Sequence, residues 1–360
     1  MQNDLSRLIS YGEAIREALH QAMNLNDKVI IIGEGVPDPK AIFGTTEGLL
    51  DRFGSSRVFD MPLAENGMTG ICIGAALGGL RPVMVHQRID FLMLAMDQIV
   101  NNAAKWFYTF NGQASVPLVI RCIVGRGWGQ GPQHSQSLQS LFAHIPGLKV
   151  ILPAMGYDAK GMMNAAIADN NPVIIIEHRW LFNIQDNVPE HYYISSLEGA
   201  RVIRQGNDIT IAAFSYMVIE ALKVAKVFAN FGVSIEVLDM RVASPLDNAS
   251  VLKSIRKTGL LLVLDTGWIT AGLASEIVAS AAENGFELLK KPPQRIGLPP
   301  HPCPTSPDLA KNYYPDSLTI MNRIFKMLDK NMESNLEEIK DLLAPNGAHD
   351  QPHINFQGPF

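Results

Sequence analysis

Several apolar runs, each only strand-length, constrain this chain more than any other feature. Val116-Pro117-Leu118-Val119-Ile120-Arg121-Cys122-Ile123-Val124 is apolar almost throughout, as a strand is when both faces of a parallel sheet are covered. Val29 to Val36, Arg81 to His86, Leu148 to Pro153 and Val173 to Glu177 also read as strands. Helical segments separate them: Ser10 to Leu25, Gly67 to Leu80, Leu92 to Lys105, Ser137 to His144 and Tyr157 to Asn170. Strands alternating with helices predict an α/β fold with a doubly wound parallel sheet. The stretch from Asn183 to Glu198 is polar and aperiodic, and the alternation then resumes. Asp208 to Phe214, Val233 to Asp239 and Leu260 to Asp265 read as strands. Met217 to Phe231 is an amphipathic helix closed by Gly232, and Leu273 to Asn284 another helix. The expected organisation is two doubly wound parallel-sheet domains, residues 1–185 and 201–330, joined by a linker at 186–200. A polar tail follows over 331–360, with a short helix from Leu336 to Leu343 and disorder from Ala344 onward.

The 360 residues, 47% hydrophobic and 18% charged, suffice for two such domains. A net charge of −5 with no basic block argues against nucleic acid as a partner. No apolar run is long enough to span a membrane, and the polar N-terminus has no signal-like core. Cys72, Cys122 and Cys303 have no paired or zinc-binding spacing, and two lie in apolar runs. They are expected to be buried, reduced thiols of a cytoplasmic protein.

The chemistry concentrates between Asp60 and Gln136. Asp60-Met61-Pro62-Leu63-Ala64-Glu65-Asn66-Gly67 opens onto a run of small apolar residues ending at Leu80. Such a helix, apolar on all sides, is predicted to be buried. Glu65 lies at its N-terminus, where the helix dipole favours a carboxylate. From this segment alone, Glu65 is either a functional acid or a charge that stabilises the helix start. The strand ending at Val124 runs into Gly125-Arg126-Gly127-Trp128-Gly129-Gln130-Gly131. Alternate glycines there mark close backbone approach, at the strand end where open α/β sheets bind ligands.

The pattern Pro62-x-x-Glu65-x-Gly67-x-x-Gly70, Phe91, Asp97-Gln98, Gln133-His134-Ser135-Gln136, Pro146-Gly147-Leu148-Lys149-Val150 and Pro153 resembles the beta subunit of the first component of 2-oxo acid dehydrogenase complexes. Those are thiamine-diphosphate-dependent decarboxylases of the transketolase superfamily. The resemblance runs from about Tyr11 to about Leu328, and Asp239-Met240-Arg241 and Ser244-Pro245-Leu246-Asp247 match the superfamily's C-terminal domain. It implies that Glu65 hydrogen-bonds the aminopyrimidine and that Phe91 packs on that ring. It places His134 near the substrate carboxylate and the acyl-carrying intermediate, and Glu34 near the active-site channel. Many relatives have a second glutamate beside Glu34; here Gly35 stands there. The resemblance also implies a monovalent cation, K+, held by Leu118, Ala166, Asp169 and Asn171. Taken as residues, Asp169-Asn170-Asn171-Pro172 equally suits a plain helix-to-strand turn.

The superfamily holds the diphosphate and its Mg2+ with a Gly-Asp-Gly motif, and none occurs in this chain. The resemblance therefore implies a separate alpha subunit and an α2β2 heterotetramer. Contacts between beta subunits are expected too, with a lipoyl acyltransferase core as a further partner. His86, Gln87 and Arg88 replace mostly apolar or small residues of pyruvate-specific relatives. Arg126, Trp128 and Gln130 enlarge a loop that is usually glycine-rich. His86, Arg88 and Arg126 are thus candidate substrate residues for a larger or more anionic 2-oxo acid. Equally, Arg88 and Arg126 are solvated or pair with the alpha chain. Two other readings compete: the C-terminal half of a split transketolase-type enzyme, and a scaffold that kept only the fold.

Overall fold

Ser10 fixes the first helix. Its hydroxyl accepts from the Glu13 N–H at 3.2 Å, and the Glu13 carboxylate takes the Ser10 N–H at 2.8 Å. This capping box satisfies two donors that a helix start otherwise leaves open. The computed structural model describes residues 6–38, 41–127, 129–328 and 335–344. They fall into two compact units, one of residues 6–127 and 133–197, the other of 129–132 and 198–344.

The first unit runs β1 (Ser6–Ser10), α1 (Tyr11–Leu25), β2 (Val29–Gly33), α2 (Leu49–Phe53), β3 (Val58–Phe59), α3 (Glu65–Leu77), β4 (Arg81–His86), α4 (Ile89–Leu92), α5 (Ala104–Thr109), β5 (Val119–Val124), α6 (Gln139–Ala143), β6 (Lys149–Ile151), α7 (Gly156–Ala168), β7 (Val173–His178) and β8 (Gln185–Pro189). Strands β6-β7-β5-β4-β2-β3 lie side by side in that order, all parallel. Every residue of β2, β5 and β7 is buried, which is why these runs show no apolar–polar alternation.

The second unit continues with β9 (Arg201–Arg204), β10 (Ile209–Ala213), α8 (Met217–Ala229), β11 (Ile235–Asp239), β12 (Val242–Ser244), α9 (Asn248–Thr258), β13 (Leu261–Trp268), α10 (Leu273–Gly285), β14 (Gln294–Leu298), α11 (Pro307–Ala310), α12 (Ser317–Met327) and α13 (Leu336–Leu343). Its sheet has the order β14-β13-β10-β11-β9. Asp247 and Asp316 cap α9 and α12 by accepting from Ser250 N and Thr319 N.

The α/β class holds, with four departures from expectation. The sheets are mixed: β9 is antiparallel to β11, and β1 pairs antiparallel with β8 as a separate ribbon. The stretch expected as linker begins as that strand β8. Only Val188 of its five residues is buried, so no period-2 signal shows in the sequence. The helix expected over 92–105 is broken into α4, a 3-10 turn (Met93–Ala95), a π-helical turn (Gln98–Ala103) and α5. Side chains bond along the π turn, Asn101 to Asp97 at 2.7 Å and Asn102 to Gln98 at 3.1 Å. Finally, α3 is not covered on all sides; Ile71 is 60% exposed, and nothing lies within 4 Å of a side chain built at Gly67 or Gly74.

The Leu336–Leu343 helix forms as expected, whereas 345–360 and Trp128 lie outside the described residues. Among the described residues no helix is long and apolar enough to cross a membrane. All three cysteines are buried with free thiols, and burial pushes the Cys72 thiol up to about 12.

Candidate active site

Parallel strands deliver their following loops to one edge of the sheet. Here β2 leads to Glu34, β3 to Asp60 and Glu65, β4 to Arg88 and Phe91, and β5 to the glycine-rich turn and His134. The end of β5 is three strand spacings from that of β3, roughly 14 Å at about 4.8 Å each.

Glu65 is the first residue of α3 and is buried, 7% exposed. The helix has no side-chain cap at Ala64, and Thr69 donates to the Glu65 carbonyl at 2.7 Å. A solvated charge that merely decorates the helix start does not describe it. Burial raises the pKa of the Glu34 carboxyl, and the negative charges of Glu65 and Asp60 raise it further. The three acids therefore share one neighbourhood. Asp60 accepts from the Gly35 N–H at 2.9 Å, and Gly35 has φ +70. A second glutamate at position 35 would be strained in this turn, a physical reason for glycine there.

Phe91 and His134 meet edge to face, ring centroids 5.4 Å apart. His134 is exposed at the end of a 3-10 turn, and Phe91 is partly buried. Asp90 Oδ1 accepts from Gln136 Nε2 at 2.8 Å and from Gln136 N at 3.4 Å. Burial raises the Asp90 pKa, while the Gln136 hydrogen bonds and the charge of His134 lower it. Gln87 links the two groups, since its Nε2 donates to the Glu34 carbonyl at 3.1 Å two residues before Ile89 opens α4. The glycine-rich turn is tight as predicted: a Cβ at Gly125, φ +95, would lie 2.6 Å from the His178 ring.

The candidate substrate residues sit deeper than expected. His86, Arg88 and Arg126 are all buried, Arg126 completely. Burial pushes the His86 imidazole down to about 4 and the Arg88 guanidinium down to about 10, the latter opposed by Asp90. Arg88 and Arg179 stack over Phe43, at 5.8 and 5.0 Å from its centroid. Trp180 Nε1 donates to the Arg126 carbonyl at 2.9 Å. Neither arginine is a solvated cation. These side chains form a layer beneath the surface of the edge.

Leu118, Ala166, Asp169 and Asn171 do converge where α7 turns into β7. The Leu118 carbonyl accepts from Val173 N at 3.0 Å, and the Ala166 carbonyl from Asp169 N at 3.3 Å. Arg81 Nη1 donates to the carbonyls of Ile167 and Asp169 at 2.9 and 2.8 Å, and Lys149 pairs with the Asp169 carboxylate. A monovalent ion fits poorly there, because two tethered cations already take the strongest acceptors.

Asp60, Asp90 and the buried Arg121–Glu177 pair had no place among the candidates. Asp90 carried a signal, a lone acid beside Phe91 in an apolar stretch. The bidentate pair, at 2.6 and 2.8 Å with Thr45 accepting from Arg121 at 2.9 Å, carried none, because its members are 56 residues apart.

A doubly wound pyrimidine-binding-type domain followed by a second α/β domain defines a chain of transketolase type. The transketolase pyrimidine-binding domain matches residues 7–185 and the transketolase C-terminal domain residues 198–320. The beta subunit of acetoin:2,6-dichlorophenolindophenol oxidoreductase from Bacillus subtilis is 39% identical over 336 residues, covering 90% of this chain and 98% of that one. Its counterpart from Cupriavidus necator is 40% identical, covering 88% and 96%. The beta subunit of the pyruvate dehydrogenase E1 component from Rickettsia felis is 36% identical, covering 89% and 98%. A solved split-gene transketolase, an inactive beta4 tetramer, superposes with TM-score 0.71 at 20% identity over 88% of this chain and 97% of that one; this likeness is one of fold. The chain belongs to the family of dehydrogenase beta subunits that includes the pyruvate and acetoin enzymes.

Proposed function

We propose that this chain is the beta subunit of a heteromeric, thiamine-diphosphate-dependent 2-oxo acid dehydrogenase, active only with an alpha subunit. The observation that carries this reading is the buried Glu65 at the start of α3, on the same sheet edge as the Phe91–His134 pair. That donor set fits the pyrimidine half of the cofactor: a carboxylate for a ring nitrogen and an aromatic face for the ring. Thiamine diphosphate, when bound, supplies the nucleophilic carbon and the electron sink for decarboxylation. Glu65 holds and returns a proton at the pyrimidine nitrogen, with Glu34 as its neighbouring acid. Phe91 fixes the ring plane. His134 meets negative charge developing on the former carbonyl oxygen or the departing carboxylate, where a pre-placed donor has most effect on rate. The diphosphate and Mg2+ are assigned to the alpha subunit, since this chain has no Gly-Asp-Gly and a buried diphosphate needs a counter-ion. A lipoyl acceptor completes the reaction in this reading, within an α2β2 assembly in the cytoplasm.

One observation favours a second substrate, acetoin: two relatives that match about nine-tenths of this chain, at 39 and 40% identity, are acetoin-oxidising beta subunits, although two pyruvate dehydrogenase beta subunits of Oryza sativa also reach 39% over 84% of it. Ketol transfer between sugars has only a likeness of fold behind it. The test uses the chain assembled with its alpha subunit, with pyruvate, branched 2-oxo acids and acetoin offered to a dye acceptor. Glu65→Gln should assemble normally and lose ~10²–10⁴ in rate on the true substrate. Full activity in that variant would sink the role of Glu65. Turnover of acetoin alone would replace the 2-oxo acid reading.

A further inference from the structure

Asp90 lies in the first turn of α4, two residues after the buried Arg88 and directly before Phe91. One carboxylate oxygen, Oδ1, takes both hydrogen bonds from Gln136, two residues beyond His134. The other, Oδ2, is buried and has no hydrogen-bond partner among the described residues. A buried carboxylate oxygen without a partner is costly. The Asp90 carboxylate acts electrostatically on the Arg88 guanidinium, and the His134 ring lies within its electrostatic reach. Phe91 meanwhile presents its ring edge to face with His134. A single short segment thus fixes the backbone beyond His134, packs its ring and supplies a negative charge.

We propose that Asp90 is the positioning residue for His134: it anchors the turn through Gln136 and sets a negative charge within reach of the imidazole. The inference rests on the proposed role of His134 and deepens it. Asp90 touches neither substrate nor cofactor in this account and acts wholly through the imidazole. The segment that places the pyrimidine-stacking aromatic also sets the state of the acid–base group, so the two cannot drift independently.

The test uses the assembly with its alpha subunit and compares parent, Asp90→Asn, His134→Ala and the double variant. Asp90→Asn keeps the shape and an oxygen acceptor for Gln136, and removes only the charge. It should lower kcat roughly 10- to 100-fold, the range for losing a carboxylate behind a functional imidazole. KM, cofactor affinity and thermal unfolding should stay at parental values, a split that a merely structural role would not produce. In the His134→Ala background the same substitution should cost nothing further, since its route is gone. A parental kcat for Asp90→Asn beside a slow His134→Ala overturns this inference alone. An equal loss in both backgrounds also overturns it, because Asp90 would then act independently of His134. A parental rate for His134→Ala overturns the reading of His134 and this inference with it.

Discussion

His86 shows how much one position depends on the strands around it. It closes β4, is 3% exposed, and burial pushes its imidazole down to about 4. An unfolded histidine titrates near 6.5. The folded value is the lower one, so as pH falls the unfolded chain binds the proton first. The neutral imidazole therefore leaves stability untouched above about 6.5 and withdraws it progressively toward pH 4, by up to about 3 kcal/mol. Urea unfolding at pH 7, 5 and 4 should show this loss in the parent and a shallower one in His86→Gln. Parallel pH curves for the two proteins would mean that His86 is not the group responsible.

Among the elements, α7 and the segment leaving β8 are joined at several points, by Asn164 to the Tyr193 carbonyl at 2.9 Å, by Tyr193 to the Tyr157 carbonyl at 2.8 Å and above all by Lys160. Lys160 is fully buried, and its ammonium donates to the carbonyls of Pro189, Glu190 and His191 at 2.6, 3.0 and 2.9 Å and pairs with Glu17 on α1. The chain beyond β8 has few buried apolar residues of its own, so these bonds hold it in place. Lys160→Met keeps the packing volume but removes the donor of the Pro189 and His191 carbonyls and leaves Glu17 with Arg7 and the Glu190 carbonyl with Gln21. It should destabilise the protein by about 3 kcal/mol or more, the order seen when one member of a buried charged pair is removed. Chemical denaturation measures this, and protease cutting near residues 189–197 should appear in the variant first. A loss below about 1 kcal/mol would show that α7 and β8 hold together without Lys160.

For the whole molecule, the exposed face of α3 is the telling feature. Gly67, Ile71 and Gly74 lie along it, and Tyr108 on α5 is 89% exposed. Apolar and small residues left in water beside a candidate active site point to cover from another chain. Nothing lies within 4 Å of a side chain built at Gly74, and glycine is a poor helix former. Gly74→Phe should therefore leave the lone chain folded, with equal or higher thermal stability, while blocking association with the alpha subunit. The lone chain should bind thiamine diphosphate and Mg2+ weakly, and the parent assembly tightly; the variant should stay weak when the alpha subunit is added. Titration calorimetry with light scattering decides this. Tight, magnesium-dependent binding by the lone chain would mean that it carries a phosphate site of its own.

The sequence by itself determined the α/β class, most strands, and Glu65, Phe91 and His134 as candidates. The class, the strands and Glu65 rest on local signals, namely uninterrupted apolar runs, glycines at a strand end and an acid at a helix start, whereas Phe91 and His134 became candidates only through the family resemblance. It also fixed the capping box at Ser10 and Glu13, which spans three residues. Tertiary structure decided what depends on distant neighbours. Arg88 and Arg126 read as substrate residues or as cations that are solvated or paired with the alpha chain, and their burial, like that of Lys160, follows from elements up to 143 residues away in sequence, as in the Lys160–Glu17 pair. The antiparallel β1–β8 ribbon was hidden for the same reason, since register between distant strands leaves no mark on either one. Arg81 reaches the carbonyls of Ile167 and Asp169 across 86 and 88 residues, and so holds the turn at which the family resemblance placed an ion. Periodicity and capping act within a few residues, whereas the partners that bury and neutralise a charge are chosen only when the chain has folded.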